Sequence, residues 1–168
     1  MRKKIILLLI FVVCFLLVGC GKNRNIENSN SNSSEVKTKL SCYKDGYLFH
    51  SKKRVENKIS LDKNNKLIDY EYIEVYSDFD NDEEFNMICD GSYEEAENNN
   101  KMYNYLNQIA VCNRDTRIVT ISNKYNLLKI PSKNVLESKY VKDNLDADYI
   151  FYLENYKSTV VNNGYTCE

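Results

Sequence analysis

Tryptophan is absent from the 168 residues, and proline and histidine occur once each. Asparagine, lysine, isoleucine and tyrosine are plentiful instead, the bias an AT-rich coding sequence imposes. The fourteen tyrosines are therefore no carbohydrate-binding signature by themselves. With His50 the single histidine, any Ser/His or Cys/His dyad has to run through it. It stands beside Lys52 and Lys53 in an expected strand, where a polar, non-catalytic position is the ordinary reading. An excess of positive charge is lacking too, with 23 Lys and Arg against 24 Asp and Glu. Nucleic-acid binding needs basic side chains clustered on one face. "SKKR", Ser51 to Arg54, is the only compact basic run and reads as the solvated end of a strand, so no nucleic-acid partner is expected.

No apolar run is long enough to span a bilayer comfortably, which takes roughly 20 residues. "IILLLIFVVCFLLV", Ile5 to Val18, is shorter, follows three cations in "MRKK", and ends at Leu17-Val18-Gly19-Cys20. That is the layout of a signal peptide, and its end resembles the lipobox of bacterial lipoproteins. In that family a diacylglycerol is attached to the cysteine thiol and cleavage before the cysteine makes it the first mature residue. The resemblance implies a signal peptide over 1–19 and lipidation at Cys20. Two acyl chains of the palmitate type hold a protein stably to a membrane, so the expected partner is the lipid bilayer and the expected location the extracytoplasmic face of the cell membrane. Loss of residues 1–19 removes three bases and moves the formal net charge from −1 to −4.

From Cys20 to Lys37 the chain is dominated by Asn and Ser without apolar periodicity. Such a stretch buries too little surface to offset the entropy of ordering. It reads as a disordered tether spanning about 20–25 Å, with one folded domain over 38–168.

In that domain "KLSCYKDGYLFH" carries a turn signal at Asp45-Gly46, and "VENKISL" alternates Val55, Asn57, Ile59 and Leu61 on one face. "DKNNK" then supplies turn residues before "KLIDYEYIEVYSD", so three strands in an antiparallel meander are expected. In the last of them Ile68, Tyr70, Tyr72 and Tyr76 share a face interrupted by Glu74, while Leu67, Ile73 and Val75 share the other with Asp69 and Glu71. Either face fits a core. Asp80 or Asn81 can cap a short helix ended by Asp90-Gly91, and Ser92 with Glu95 forms a capping-box pattern for a second. Met102, Leu106 and Ile109 recur along that second helix at helical spacing. After a turn at "NRDTR", "IVTISNKYNLLKI" reads as one bent strand or two short ones. A weak helical stretch around 136–144 and a better one over about 149–162 follow, the latter carrying Ile150, Leu153, Val160 and Val161 and stopping at Asn163-Gly164. The order predicts an α+β fold, an antiparallel sheet packed against two or three helices.

Removal of Cys14 and lipidation of Cys20 would leave Cys42, Cys89, Cys112 and Cys167. Outside the membrane thiols tend to pair, and four of them allow three connectivities. None forms the C-x2-4-C spacing of a zinc or redox site, so neither metal nor cofactor is expected. "DFDNDEE", Asp78 to Glu84, starts like a calcium loop but has Glu83 where the turn glycine belongs and Cys89 where the bidentate glutamate belongs. A solvated helix start accounts for the same acids.

The lipobox, the Asn/Ser tether, the opening "LSCYKDG", the meander "ISLDKNNKLIDYEYIEVY" and the ending "YLENYKSTVVNNGYTCE" together resemble the YehR-like lipoproteins of low-GC Gram-positive bacteria, a domain of unknown function. The resemblance runs from Leu40 to Cys167. It implies that Cys42 pairs with Cys167, the two cysteines such relatives often have alone, and that Cys89 and Cys112 form an additional bridge. It offers no reaction to transfer.

Two function classes follow. One is a non-catalytic binding or interaction module whose sheet face bearing Tyr70, Tyr72 and Tyr76 meets a protein or cell-wall glycan. The other is a metal-independent hydrolase near the cell wall using carboxylates, for which no pair stands out and no catalytic residue is assigned. Two-lobed solute receptors need about twice this length, as expected for two domains.

Overall fold

The computed structural model describes residues 35–168. The expected signal peptide, Cys20 and the tether up to residue 34 lie outside the described residues. At the junction Lys37 already donates its backbone N–H to Leu61 O at 2.9 Å. Three long strands follow, β1 (Thr38–Leu48), β2 (Ser51–Leu61) and β3 (Leu67–Ser77), paired antiparallel as a meander. A helix α1 (Asp82–Met102) leads into the hairpin β4 (Leu106–Asn113) and β5 (Ile118–Tyr125). Beyond a 3-10 turn at Lys133–Val135 come two short helices, α2 (Lys139–Asp143) and α3 (Leu153–Asn162), and a two-residue strand β6 (Thr166–Cys167). The sheet has six strands in the order β4-β5-β3-β2-β1-β6, all neighbours antiparallel, so the chain is a small α+β domain.

One turn assignment changes, and with it the place of His50. Asp45-Gly46 lies inside β1, where Arg54 on β2 bonds the Asp45 carboxylate through two nitrogens at 2.7 and 3.0 Å. The reversal falls instead at Phe49-His50, between the paired Leu48 and Ser51, with Phe49 at φ 53°. His50 is therefore an exposed turn residue and not part of a strand. The loop after β2 behaves as its composition suggests: Asp62 accepts from the backbone N–H of Asn64 and Lys66, and Asn65 takes φ 60°.

The helical readings change more. Asn81 is the cap, accepting from Glu84 N at 2.8 Å while Glu84 reaches back to Asp80 N. But α1 runs straight through Asp90-Gly91, and Ser92 caps nothing; its hydroxyl donates to Ile88 O within the helix. Phe85, Cys89, Ser92 and Ala96 recur at helical spacing and are all buried, so packing outweighs the roughly 1 kcal/mol that a mid-helix glycine costs. Leu106 and Ile109, read as helix, belong to β4, where Ile109 and Val111 point to the open side of the sheet. Near the end, Asn163 and Gly164 at φ 82° stop α3 as expected, with Tyr156 and Val160 buried and Val161 exposed.

All helices lie on one side of the sheet, and the tyrosine face of β3 is the one they cover. A bulge opposite Ser60 and Leu61 lets Leu67 join that face. The helix-covered face holds two separate cores. Leu40, Ile59, Leu61, Tyr70, Leu136, Val141, Phe151, Tyr156 and Val160 form the larger with the C-terminal helices. Tyr76, Phe79, Phe85, Cys89, Val119 and Ile121 form the smaller under α1. Two disulfides close the domain. Cys42 and Cys167 face each other across β1 and β6 with Cα atoms 4.1 Å apart, and Cys89 on α1 joins Cys112 on β4 at 5.9 Å. This is the pairing that the lipoprotein resemblance implies.

Candidate functional site

Between the two cores the covered face is polar. Strand register places Asn57, Tyr72, Asn123 and Gln108 in one row across β2, β3, β5 and β4. The next row holds Glu74 between Val55 and Ile121, and the one after it places Lys53 opposite Tyr76. Buried polar groups cost free energy unless hydrogen-bonded, so each of these has to be accounted for.

Glu74 is the hub of the half nearer α1. Its Oε1 accepts from Lys53 Nζ at 2.7 Å and Tyr72 OH at 2.9 Å, and its Oε2 accepts from Tyr76 OH at 2.5 Å. Burial alone would push its pKa up. Hydrogen bonds from Lys53 and Tyr76, then the Lys53 charge and the Tyr72 bond, outweigh it and hold the carboxyl below its ordinary value. For Lys53 burial works against the charge, but the bonds to Glu74 and Tyr76 raise its pKa overall. The ammonium also sits 5.1 Å from the centre of the Tyr76 ring. Burial, followed by the bond to Glu74, pushes the Tyr76 phenol up to about 12. This half of the row is a filled ammonium site, occupied by the protein's own lysine.

Two further carboxylates, Glu137 and Glu95, act on each other electrostatically. Glu137 is held between buried Leu136 and buried Ser138, whose N–H donates to Tyr70 OH at 3.3 Å. Though the residue is exposed, partial desolvation of the carboxyl raises its pKa, and the negative charges of Glu74 and Glu95 raise it further; Lys142 opposes them. Glu95 approaches from α1, one helical turn before Asn99, whose amide donates to Gln108 Oε1 at 2.7 Å. On β5, Asn123 and Tyr125 are 7% and 4% exposed. Asn123 Oδ1 and Tyr125 OH have no hydrogen-bond partner, nor does Asn57 Nδ2 at the far end of the row. Burial raises the Tyr125 pKa, and the nearby charge of Glu137 raises it further. Among the described residues neither Glu95 nor Glu137 is in an ion pair. The result is two exposed carboxylates outside any ion pair, one of them beside the buried Tyr125 phenol.

The tyrosine surface expected from the sequence is corrected by this arrangement. Tyr70 is fully buried, donating to Asn57 Oδ1 at 3.0 Å, and Tyr76 is only 5% exposed. Tyr72, half-buried, points its hydroxyl at Glu74, so the three rings line the inside of the domain because that face of β3 meets the helices. The "SKKR" run is the end of a strand, as expected, with Lys52 and Arg54 exposed and paired with Asp78 and Asp45; only Lys53 turns inward, to Glu74. His50 is exposed with its Nδ1 3.8 Å from Asp80. Among the described residues no cluster of His, Cys, Asp and Glu could hold a metal.

Sequence reasoning passed over Lys53, Glu137 and Asn123. One signal was available: a lone glutamate in a tyrosine stripe calls for a buried cation, and Lys53 stands in the neighbouring strand. Glu137 had none, because its stretch lacks periodicity. The chain matches no family model, and no curated protein or solved structure is detectably similar to it.

Proposed function

We propose that the chain is a lipoprotein held to the extracytoplasmic face of the cell membrane by a diacylglyceryl group on Cys20, and that its folded domain is a non-catalytic binding module. Kinship with the YehR-like lipoproteins is part of that proposal. The observation that carries the binding reading is the exposed pair Glu95 and Glu137, in no ion pair among the described residues, whose like charges raise the pKa of Glu137. A partner group of opposite charge would relieve that repulsion. Two disulfides in so small a domain fit an oxidising compartment, in line with an exported chain. The hydrolase alternative has less support, because the well-buried Glu74 has both oxygens engaged and is held ionised by Lys53.

Cross-linking in intact cells tests the reading. Wild type is expected in the membrane fraction with a cross-linked partner, Cys20→Ala in the soluble fraction, and Glu137→Lys in the membrane without the partner. Firm membrane retention of Cys20→Ala would overturn the anchor. A partner recovered equally with Glu137→Lys would overturn these carboxylates as part of the binding surface.

A further inference from the structure

We propose that the free stretch of β1, Lys44 to Leu48, pairs edge to edge with the same stretch of a second copy of this chain, antiparallel about a two-fold axis at Gly46. The pairing is separate from the carboxylates of the binding reading and does not depend on them.

Only part of β1 is covered by β6. The two pair at Cys42 and Tyr43, and Ser41 exchanges both backbone bonds with Glu168 at 2.9 Å. In an antiparallel ladder such bonded pairs recur at every second residue, so Tyr43, Asp45 and Tyr47 turn their N–H and C=O groups away from β2. Thr166 lies opposite Tyr43, whereas Asp45 and Tyr47 have no strand beside them among the described residues. An open edge is a template for another strand. The opposite edge of the sheet is closed, since Asn100 and Tyr93 of α1 bond β4 at Gln108 and Cys112.

Four successive residues, Lys44 to Tyr47, are exposed. Charged side chains usually guard an edge, but these are drawn back into their own chain. Lys44 Nζ donates to Asn163 O at 2.8 Å, and Asp45 accepts from two Arg54 nitrogens at 2.7 and 3.0 Å. Hollows flank the edge on both faces. One of about 120 Å³ lies by Lys44, Gly46, Val55 and Tyr165, and one of about 550 Å³ runs along Tyr47, Lys52, Arg54 and Val75. An added strand sends its side chains alternately to the two faces, and each face has room for them.

The strand that fits this edge is the edge itself. With Gly46 on the axis, Asp45 of each copy faces Tyr47 of the other, and each such pair exchanges two N–H···O=C bonds. Gly46 meets Gly46 in the closely spaced position between those pairs, where no Cβ separates the backbones. Tyr47 and Phe49, 73% and 74% exposed, are the most exposed aromatic residues among those described, and both stand at this end of the sheet. A second copy brings a strand already formed, whereas a free peptide has first to be ordered. A two-fold pairing of identical edges also closes on itself, leaving nothing for a third copy to extend.

Sedimentation and amide hydrogen exchange of the full chain in neutral detergent, from about 1 μM to 1 mM chain, test the pairing. Dimer mass is expected to appear with concentration, together with slowed exchange at Asp45 and Tyr47. Tyr47→Pro deletes an outward N–H and spares the ladder to β2, the kind of position where an edge strand accepts proline. Symmetry removes two bonds at once, so association is expected to weaken about tenfold or more relative to Tyr47→Ala, which keeps the N–H. Gly46→Cys, whose Cβ meets only Lys53 O at 4.0 Å, is expected to cross-link copy to copy under mild oxidation, as Cys42 links to Cys167 across the same kind of pair. Glu97→Cys, on the exposed side of α1, is expected not to. A monomer at every concentration, a dimer in which Asp45 and Tyr47 exchange freely, equal association of Tyr47→Pro and Tyr47→Ala, or cross-linking no better at Gly46→Cys than at Glu97→Cys would overturn the proposal. Should Tyr47→Pro fail to fold, exchange in the unaltered chain and the Gly46→Cys cross-link still decide.

Discussion

Lys53 faces Tyr76 across the β2–β3 ladder, yet its ammonium reaches diagonally to Glu74, 2.7 Å away, on the side of the sheet that the helices cover. The two side chains are 23% and 18% exposed, so water screens them only partly. Removal of one partner leaves the other uncompensated in a half-buried setting. Lys53→Met is therefore expected to destabilise the fold by about 2–3 kcal/mol in urea, and the double change with Glu74→Met to recover much of that loss. A double variant as unstable as the sum of the single ones would show that the pair is not coupled.

The pair also has a pH signature. Glu74 titrates below its ordinary 4.5 in the fold, so its contribution is present above 4.5 and is lost as pH falls through the lower folded value. Lys53 titrates above its ordinary 10.5, so its contribution is present below 10.5 and fades as pH rises through the folded value. Glu137 behaves oppositely to Glu74. With a folded pKa above 4.5 it binds protons more readily in the native state, and stability falls as pH rises between the two values. Glu137→Gln should remove that downward slope just above pH 4.5; a slope unchanged by the substitution would contradict the placement.

Cys42–Cys167 spans 125 residues and Cys89–Cys112 spans 23. On loop entropy the longer link contributes about 5 kcal/mol and the shorter about 3. Paired Cys→Ala variants should rank in that order by denaturant midpoint, the loss of Cys42–Cys167 also freeing β6. An inverted ranking would mean that local packing of α1 on β4 outweighs chain entropy.

Gly91 sits in the middle of α1 with open space where a Cβ would project. Gly91→Ala should stabilise by roughly 0.5–1 kcal/mol. A loss of stability would revive the reading in which the helix breaks at Asp90-Gly91.

Asn100 at the end of α1 imitates a strand: its amide donates to Gln108 O at 2.8 Å and accepts from Gln108 N at 2.7 Å. Tyr93 OH accepts from Cys112 N on the same edge of β4. Edge strands with free backbone groups invite aggregation. Asn100→Ala should cost about 1–3 kcal/mol and accelerate amide exchange at Gln108; unchanged exchange there would refute the guarding role.

These residues also show how far the sequence could be read. The meander, the Asn81 cap and the Asn163-Gly164 stop were legible because each depends on near neighbours. Asp90-Gly91 misled because a local stop signal was overruled by the buried stripe Phe85, Cys89, Ser92 and Ala96 and by the bridge to β4. Leu106 and Ile109 misled because spacings of three and four also occur by chance in a strand with apolar residues on both faces. The tyrosines of β3 were visible, but which face the helices would cover was not, and that alone decides whether they are a surface or a lining. The approach of Glu137 to Glu95 was beyond reach, since only the fold brings the two segments together.

The most direct test is the carboxyl titration of Glu74 and Glu137, followed by carbon-13 NMR on glutamate-labelled full chain. Glu74, held by Lys53, should titrate below 4.5, and Glu137, beside other carboxylates, above it. The reverse order, or two coincident curves, would contradict the account.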